Sequence, residues 1–123
     1  MANTHINVGG HKVTTGTQKG VTNVPLEDSR LTDGYVNYCI KNGWCHVDIY
    51  NLGPGSTIQT TVTVTTKLPK SMDWCHHQYS AARAVYLNPN PNDGYSTLSL
   101  AGTDPVNVYC NLNYPIADDS AIK

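Results

Sequence analysis

The chain has 123 residues and a formal net charge of −1, and only 14% of its residues are charged, against about 25% in typical soluble domains. This length suits one domain, and the absence of any run of Lys or Arg removes the basic surface that nucleic-acid binding requires, so no nucleic-acid partner is expected. No apolar stretch approaches the roughly 20 residues of a membrane-spanning helix, so no membrane insertion is predicted.

The start of the chain differs in character from the rest. Residues 1–32 are rich in Gly, Thr and Asn with little periodicity, which favours a polar, partly flexible lead-in segment such as a piece excised from a longer protein would carry. Short strands are expected there only at residues 11–15 and 21–24. The domain itself is expected over residues 33–117, followed by a short polar tail at 118–123.

A hairpin is the clearest local feature of the sequence. Asn42-Gly43 separates two alternating stretches, and Asn-Gly is typical of the type I′ turn, whose two central residues both need positive φ. Residues whose numbers add to 85 then face each other, which places Cys39 and Cys45 on opposite faces and excludes a disulfide between them. The face predicted to be buried carries Val36, Tyr38, Ile40, Cys45, Val47 and Ile49. The opposite face carries Asn37, Cys39, Lys41, Trp44, His46, Asp48 and Tyr50.

The remaining alternating stretches predict further strands, separated by turn residues. They lie at residues 57–66, 82–87, 95–101 and 106–114. Leu68-Pro69 follows the first of these stretches and is expected to end that strand. Their members predicted to join the core are Val62, Val64, Leu98, Val108 and Leu112. No segment has a helical period, apart from one turn within residues 71–79. The chain is therefore predicted to be an all-β, antiparallel β-sandwich of about 6–9 strands.

The candidate chemistry of the sequence is sparse. Cys75-His76-His77 is the one cluster of metal-ligand types, but its spacing matches no zinc pattern and adjacent strand residues point in opposite directions. We interpret it as a surface loop and predict no metal and no cofactor. No GxSxG, HExxH or phosphate-binding glycine loop occurs, so no catalytic residues are predicted and the chain is expected not to be an enzyme.

Outward aromatic residues are the candidates for ligand contact. Aromatic rings beside short polar groups suit sugar rings and protein partners alike. The candidate ligand-binding residues are Trp44, His46, Tyr50, Trp74 and Tyr79. For each of them the alternative is burial against another part of a protein.

The order of features resembles the C-terminal head domains of bacteriophage tail fibres and receptor-binding proteins. The motifs are a hairpin with a central NG turn, a Thr/Val strand running into Leu68-Pro69 (TVTTKLPKSM), AARAVYL, a Gly-bearing turn, STLSLAG and a final strand ending NLNYPI. The likeness covers residues 35–116. The sequence departs from the common pattern in its WCHHQ insertion, and no binding residue is transferred.

The resemblance implies a non-catalytic domain at a fibre tip, on a virion or outside the cell, that attaches to a host cell-surface saccharide or protein and forms a homotrimer. Two alternatives stay open: a carbohydrate-binding module of a secreted bacterial protein, and a small hydrolase. A fibre tip is expected to be trimeric and an appended module monomeric, whereas a hydrolase needs a concave pocket in which ionisable groups converge.

Overall fold

The computed structural model describes residues 5–8, 11–14 and 17–122, with side chains from residue 19 onward. This part of the chain contains no helix, and therefore none that could cross a membrane. Its strands are β1 (His5–Val8), β2 (His11–Thr14), β3 (Thr17–Val21), β4 (Asp33–Lys41), β5 (Trp44–Gly53), β6 (Val62–Pro69), β7 (Cys75–Ser80), β8 (Arg83–Pro89), β9 (Tyr95–Gly102) and β10 (Val108–Pro115).

Eight of these strands form two antiparallel sheets of four. Sheet I has the order β10-β5-β4-β3 and sheet II the order β6-β9-β8-β7, while β1 and β2 pair only with each other. One apolar cluster takes side chains from both sheets, and the buried hydroxyl of Tyr114 on β10 donates to the carbonyl of Pro69 on β6 at 2.8 Å. The all-β sandwich predicted from the sequence is thus confirmed.

The central hairpin forms as predicted. Asn42 and Gly43 have φ of 54° and 77°, and Ile40 pairs with Cys45 in the register that the two-residue turn requires. Cys39 is half-buried on the outer face and Cys45 is buried in the core, and both are free thiols. The predicted core residues are all buried: Val36, Tyr38, Ile40, Cys45, Val47, Ile49, Val62, Val64, Leu98, Val108 and Leu112.

The strand predicted at residues 57–66 was placed too early. Its first residue, Thr57, ends a turn in which its amide donates to the carbonyl of Pro54 at 3.2 Å. Residues 58–61 are irregular, and β6 begins only at Val62. The strand also continues through Pro69 instead of ending before it. Because β6 is an edge strand of sheet II, a residue without an N–H is tolerated there.

The sequence predicts a surface loop with one helical turn within residues 71–79. This prediction is wrong for the part of the segment that begins at Cys75. The segment Cys75–Ser80 is strand β7, paired with β8 at the edge of sheet II. His76 is exposed, while Cys75 and Tyr79 are partly buried and pack against the core. Because most residues of this edge strand are polar, the alternation of its inward and outward side chains cannot be recognised from hydrophobicity in the sequence.

The structure places part of the predicted lead-in within the sandwich. Strand β3 pairs with β4 and completes sheet I, and the side chains of Val24 and Leu31 are each only 6% exposed within the core. The second strand expected in this region, at residues 21–24, lies instead at Thr17–Val21. The sequence gives little sign of this strand because Gly20, which lies within it, is a weak strand former.

Replacing Ile49 with alanine tests which face of the hairpin supports the fold. Ile49 is 1% exposed, so we expect Ile49→Ala to lower the free energy of unfolding by about 2–4 kcal/mol through lost contacts and a residual cavity. Chemical denaturation measures this, with Thr63→Ala on the exposed side of β6 as the control, expected to change stability by less than about 0.5 kcal/mol. A similarly small change for Ile49→Ala would contradict the packing.

Candidate functional site

A cluster of three tyrosines covers one end of the outer face of sheet I. Tyr35 and Tyr50 face each other across β4 and β5 and stack with ring centroids 5.1 Å apart, while Tyr109 on β10 meets Tyr50 edge-on, also at 5.1 Å. The hydroxyl of Tyr109 donates to Asn51 Oδ1 at 3.0 Å. The rings therefore form a fixed apolar surface at this end.

An open depression of about 480 Å³ occupies the middle of the same face. Successive rows of cross-strand neighbours form it, and one row runs from Gly20 through Cys39 and His46 to Asn113. His46 Nδ1 lies 2.7 Å from Asn113 Oδ1. Because that oxygen can only accept, Nδ1 carries the proton and donates. Gly20 brings no side chain, which leaves the β3 side of the depression open.

A stack of three aromatic rings, here called the aromatic stack, lies on the outer face of sheet II. It consists of Trp74, His76 and Tyr86. The centroids of Trp74 and His76 are 5.4 Å apart with 11° between the ring planes, those of His76 and Tyr86 4.8 Å apart with 15°, and those of Trp74 and Tyr86 5.8 Å apart with 26°. The Trp74 side chain is 51% exposed. The three rings are thus close to parallel, with Trp74 and His76 exposed and Tyr86 partly buried.

Sheet pairing explains why these rings meet. His76 on β7 is directly opposite Tyr86 on β8, where facing Cβ atoms are about 4.5–5.5 Å apart, and Trp74 lies just before β7 begins. Hydrogen-bonding groups surround the stack: Gln78 Oε1 is 3.1 Å from His76 Nε2, and Ser99 is opposite Tyr86 on β9. A flat apolar surface beside amide and hydroxyl groups can hold a ring that is apolar on its face and polar at its edge.

The structure separates the ligand-binding residues predicted from the sequence. Trp44, His46 and Tyr50 share the outer face of sheet I, whereas Trp74 lies on sheet II. Tyr79 is partly buried and packs against the core, so it does not join the aromatic stack. The five candidates therefore do not form one site.

Sequence reasoning missed Tyr86, the ring to which both Trp74 and His76 stack. A signal for it was present in AARAVYL. Val85 and Leu87 are buried, and the residue between two inward strand residues must point outward. The position of Tyr86 opposite His76 could not be anticipated, because the polar strand β7 was itself not recognised.

The core-facing cysteines are unsuited to ionise. Burial raises the pKa of Cys45 to about 12 and, together with the nearby charge of Asp48, that of Cys110 to about 11. Burial also raises the pKa of Cys75. Among the side chains that the structure describes, those of residues 19–122, no three His, Cys, Asp or Glu are placed to hold a metal ion.

Comparisons of the chain with protein-family models, with curated proteins and with solved structures give no match.

Proposed function

We propose that the chain is a non-catalytic adhesion domain that binds a saccharide on a host cell surface through the aromatic stack of Trp74, His76 and Tyr86. The observation that carries this proposal is the stack itself. Large aromatic side chains are normally used to fill a core, since each can bury 150–250 Å². Here two of them, Trp74 and Tyr86, are aligned with the ring of His76 on the outer face of sheet II, and Trp74 is 51% exposed.

The chemistry around the stack favours a neutral sugar. A pyranose ring has one apolar face of C–H groups and an edge of hydroxyls, so it matches a flat aromatic surface bordered by hydrogen-bonding side chains. Gln78 on β7, Asn88 on β8 and Ser99 on the neighbouring strand β9 supply such groups. With a net charge of −1, the chain offers no general attraction for acidic polymers.

The resemblance of the sequence to tail-fibre heads supports the biological setting of this proposal. On that basis the domain sits at the tip of a phage or prophage fibre, on the virion or outside the cell, and acts as a homotrimer. A rigid β-scaffold that displays binding residues on its surface fits this role. A module appended to a secreted enzyme would use the same stack but would stay monomeric.

Substitution of Trp74 tests the proposal. A glycan array that includes bacterial surface polysaccharides identifies the ligand, and calorimetry then gives its affinity. We expect Trp74→Ala to weaken binding at least tenfold, equivalent to about 1.4 kcal/mol, because central aromatic residues carry much of the energy of such contacts. Trp74→Phe should weaken binding less, since it keeps a ring in the stack.

Two controls keep the outcome decisive. Met72 is 68% exposed and lies two residues from Trp74 but outside the stack, so Met72→Ala should bind as the unaltered protein does. Trp44→Ala removes the exposed indole of sheet I and should also have no effect. Loss of binding in Trp44→Ala but not in Trp74→Ala, or no glycan bound by the unaltered protein, would contradict the proposal.

A further inference from the structure

The row of Cys39, His46 and Asn113 in the depression of sheet I has no role in saccharide binding by the aromatic stack, which lies on the other sheet. Cys39 on β4 is directly opposite His46 on β5, and the Cβ atoms of such facing residues are about 4.5–5.5 Å apart. His46 is in turn opposite Asn113 on β10. Three adjacent strands thus set a thiol, an imidazole and an amide side by side.

The hydrogen bond of His46 fixes which of its nitrogens can act as a base. Nδ1 donates to Asn113 Oδ1 at 2.7 Å, so in the neutral imidazole the unprotonated nitrogen is Nε2. A thiol beside a histidine that a third group orients is the general arrangement of an activated sulfur nucleophile. The pair lies within the open depression of about 480 Å³, which gives a small reagent room to approach.

The neighbouring strand β3 also leaves Cys39 accessible. Gly20 is directly opposite Cys39 on β3, and a Cβ added there would meet no atom within 4 Å. The sulfur is therefore unshielded by residue 20. Of the other thiols, Cys45 is buried in the core, and burial raises the pKa of Cys45, Cys75 and Cys110.

We propose that Cys39 is a modification site that undergoes thiol–disulfide exchange with small disulfides of the glutathione class, with His46 as the base and Asn113 as its positioning residue. His46 Nε2 takes the thiol proton as Cys39 Sγ attacks one sulfur of the disulfide. The new Cys39–sulfur bond forms while the disulfide bond breaks. The protein thiol is oxidised to a mixed disulfide, and the departing sulfur leaves as a thiolate that receives the proton from His46.

The first test uses the unaltered folded protein. It is exposed to oxidised glutathione, and peptide mass spectrometry measures which cysteine carries the adduct and how fast it forms. We expect Cys39 to be modified first and Cys75, a partly exposed thiol outside the depression, at least tenfold more slowly. Equal rates for the two, or a first adduct on Cys75, would overturn the proposal without any substitution.

The second test assigns the roles of the neighbours, with the release of thione from dithiodipyridine as the measure of rate. His46→Gln should slow the reaction of Cys39 at least about tenfold, a modest figure for a positioned general base. Asn113→Leu should also slow it, whereas Asn113→Asp should keep the rate because a carboxylate still accepts the hydrogen bond from Nδ1–H. An unchanged rate in His46→Gln would overturn the role of the base.

Steric shielding provides an independent check. Gly20→Val adds bulk beside Cys39 without a clash at Cβ, so it should slow the reaction while leaving the thermal midpoint unlowered. All variants are compared by thermal denaturation, because local unfolding would expose thiols indiscriminately. If Gly20→Val folds normally and Cys39 reacts as fast as before, the sulfur is not approached through the depression, and this contradicts the proposed site.

Discussion

Replacing Arg83 with methionine is expected to lower the free energy of unfolding by about 3–5 kcal/mol. Arg83 opens β8 and is fully buried, with 0% of its surface exposed. Its guanidinium donates to backbone carbonyls: to Gly55 at 3.0 Å, to Ile58 at 2.8 Å, to Gly102 at 3.1 Å and, through Nε, to Asp104 at 3.0 Å. The side chain thus joins the turn before β6 to the turn after β9.

The size of this effect follows from what the substitution leaves behind. Methionine keeps an unbranched apolar side chain but donates no hydrogen bond, so several buried carbonyl oxygens lose their partner, and each such loss costs about 1–3 kcal/mol. Burial already lowers the pKa of Arg83, and removal of this desolvated charge offsets part of the loss. Arg83→Lys should also destabilise, because an ammonium cannot reproduce the planar fork.

The measurement is chemical denaturation, and the chain offers a matched control. Arg30 is the other arginine, with its side chain 50% exposed and paired with Asp28 at 2.8 Å. Arg30→Met should leave the unfolding midpoint almost unchanged, since exposed ion pairs contribute little. A loss of less than about 1 kcal/mol for Arg83→Met would show that the four carbonyls do not depend on this side chain.

Joining three copies of the domain is expected to raise its apparent affinity for host cells roughly 10²- to 10⁴-fold. This prediction rests on the proposed adhesion function. A sugar lying on the aromatic stack buries little area, so the affinity of one copy should be weak, whereas a tether makes the second and third contacts intramolecular. A fusion to a trimeric coiled coil, compared with the single domain at equal binding-site concentration, measures the gain by cell-surface binding.

The control for this experiment is the same trimer with Trp74→Ala in every copy. It should fall back toward the level of the single domain, because tethering multiplies an affinity that must first exist. Equal attachment by trimer and single domain would contradict multivalent adhesion. Cleavage of a glycan or ester by the unaltered protein would instead support the hydrolase alternative.

The sequence by itself determined the hairpin and which of its side chains enter the core. The Asn42-Gly43 turn needs only two residues that tolerate positive φ, and their values of 54° and 77° fit this. Once the turn fixes the register, the two-residue period of a strand decides which side chains face inward, as Val47 and Ile49 do. These are local properties, and they were predicted correctly because they involve residues close together in the chain.

Only the tertiary structure decided the sites. Tyr86 meets His76 and Trp74 because β7 pairs with β8, and His46 meets Asn113, which lies 67 residues further along the chain, because β10 joins β5. Likewise Arg83 reaches carbonyls 19–28 residues away. Strand order and the pairing of distant strands depend on how the whole core is buried, and this is not encoded in the alternation of any one segment.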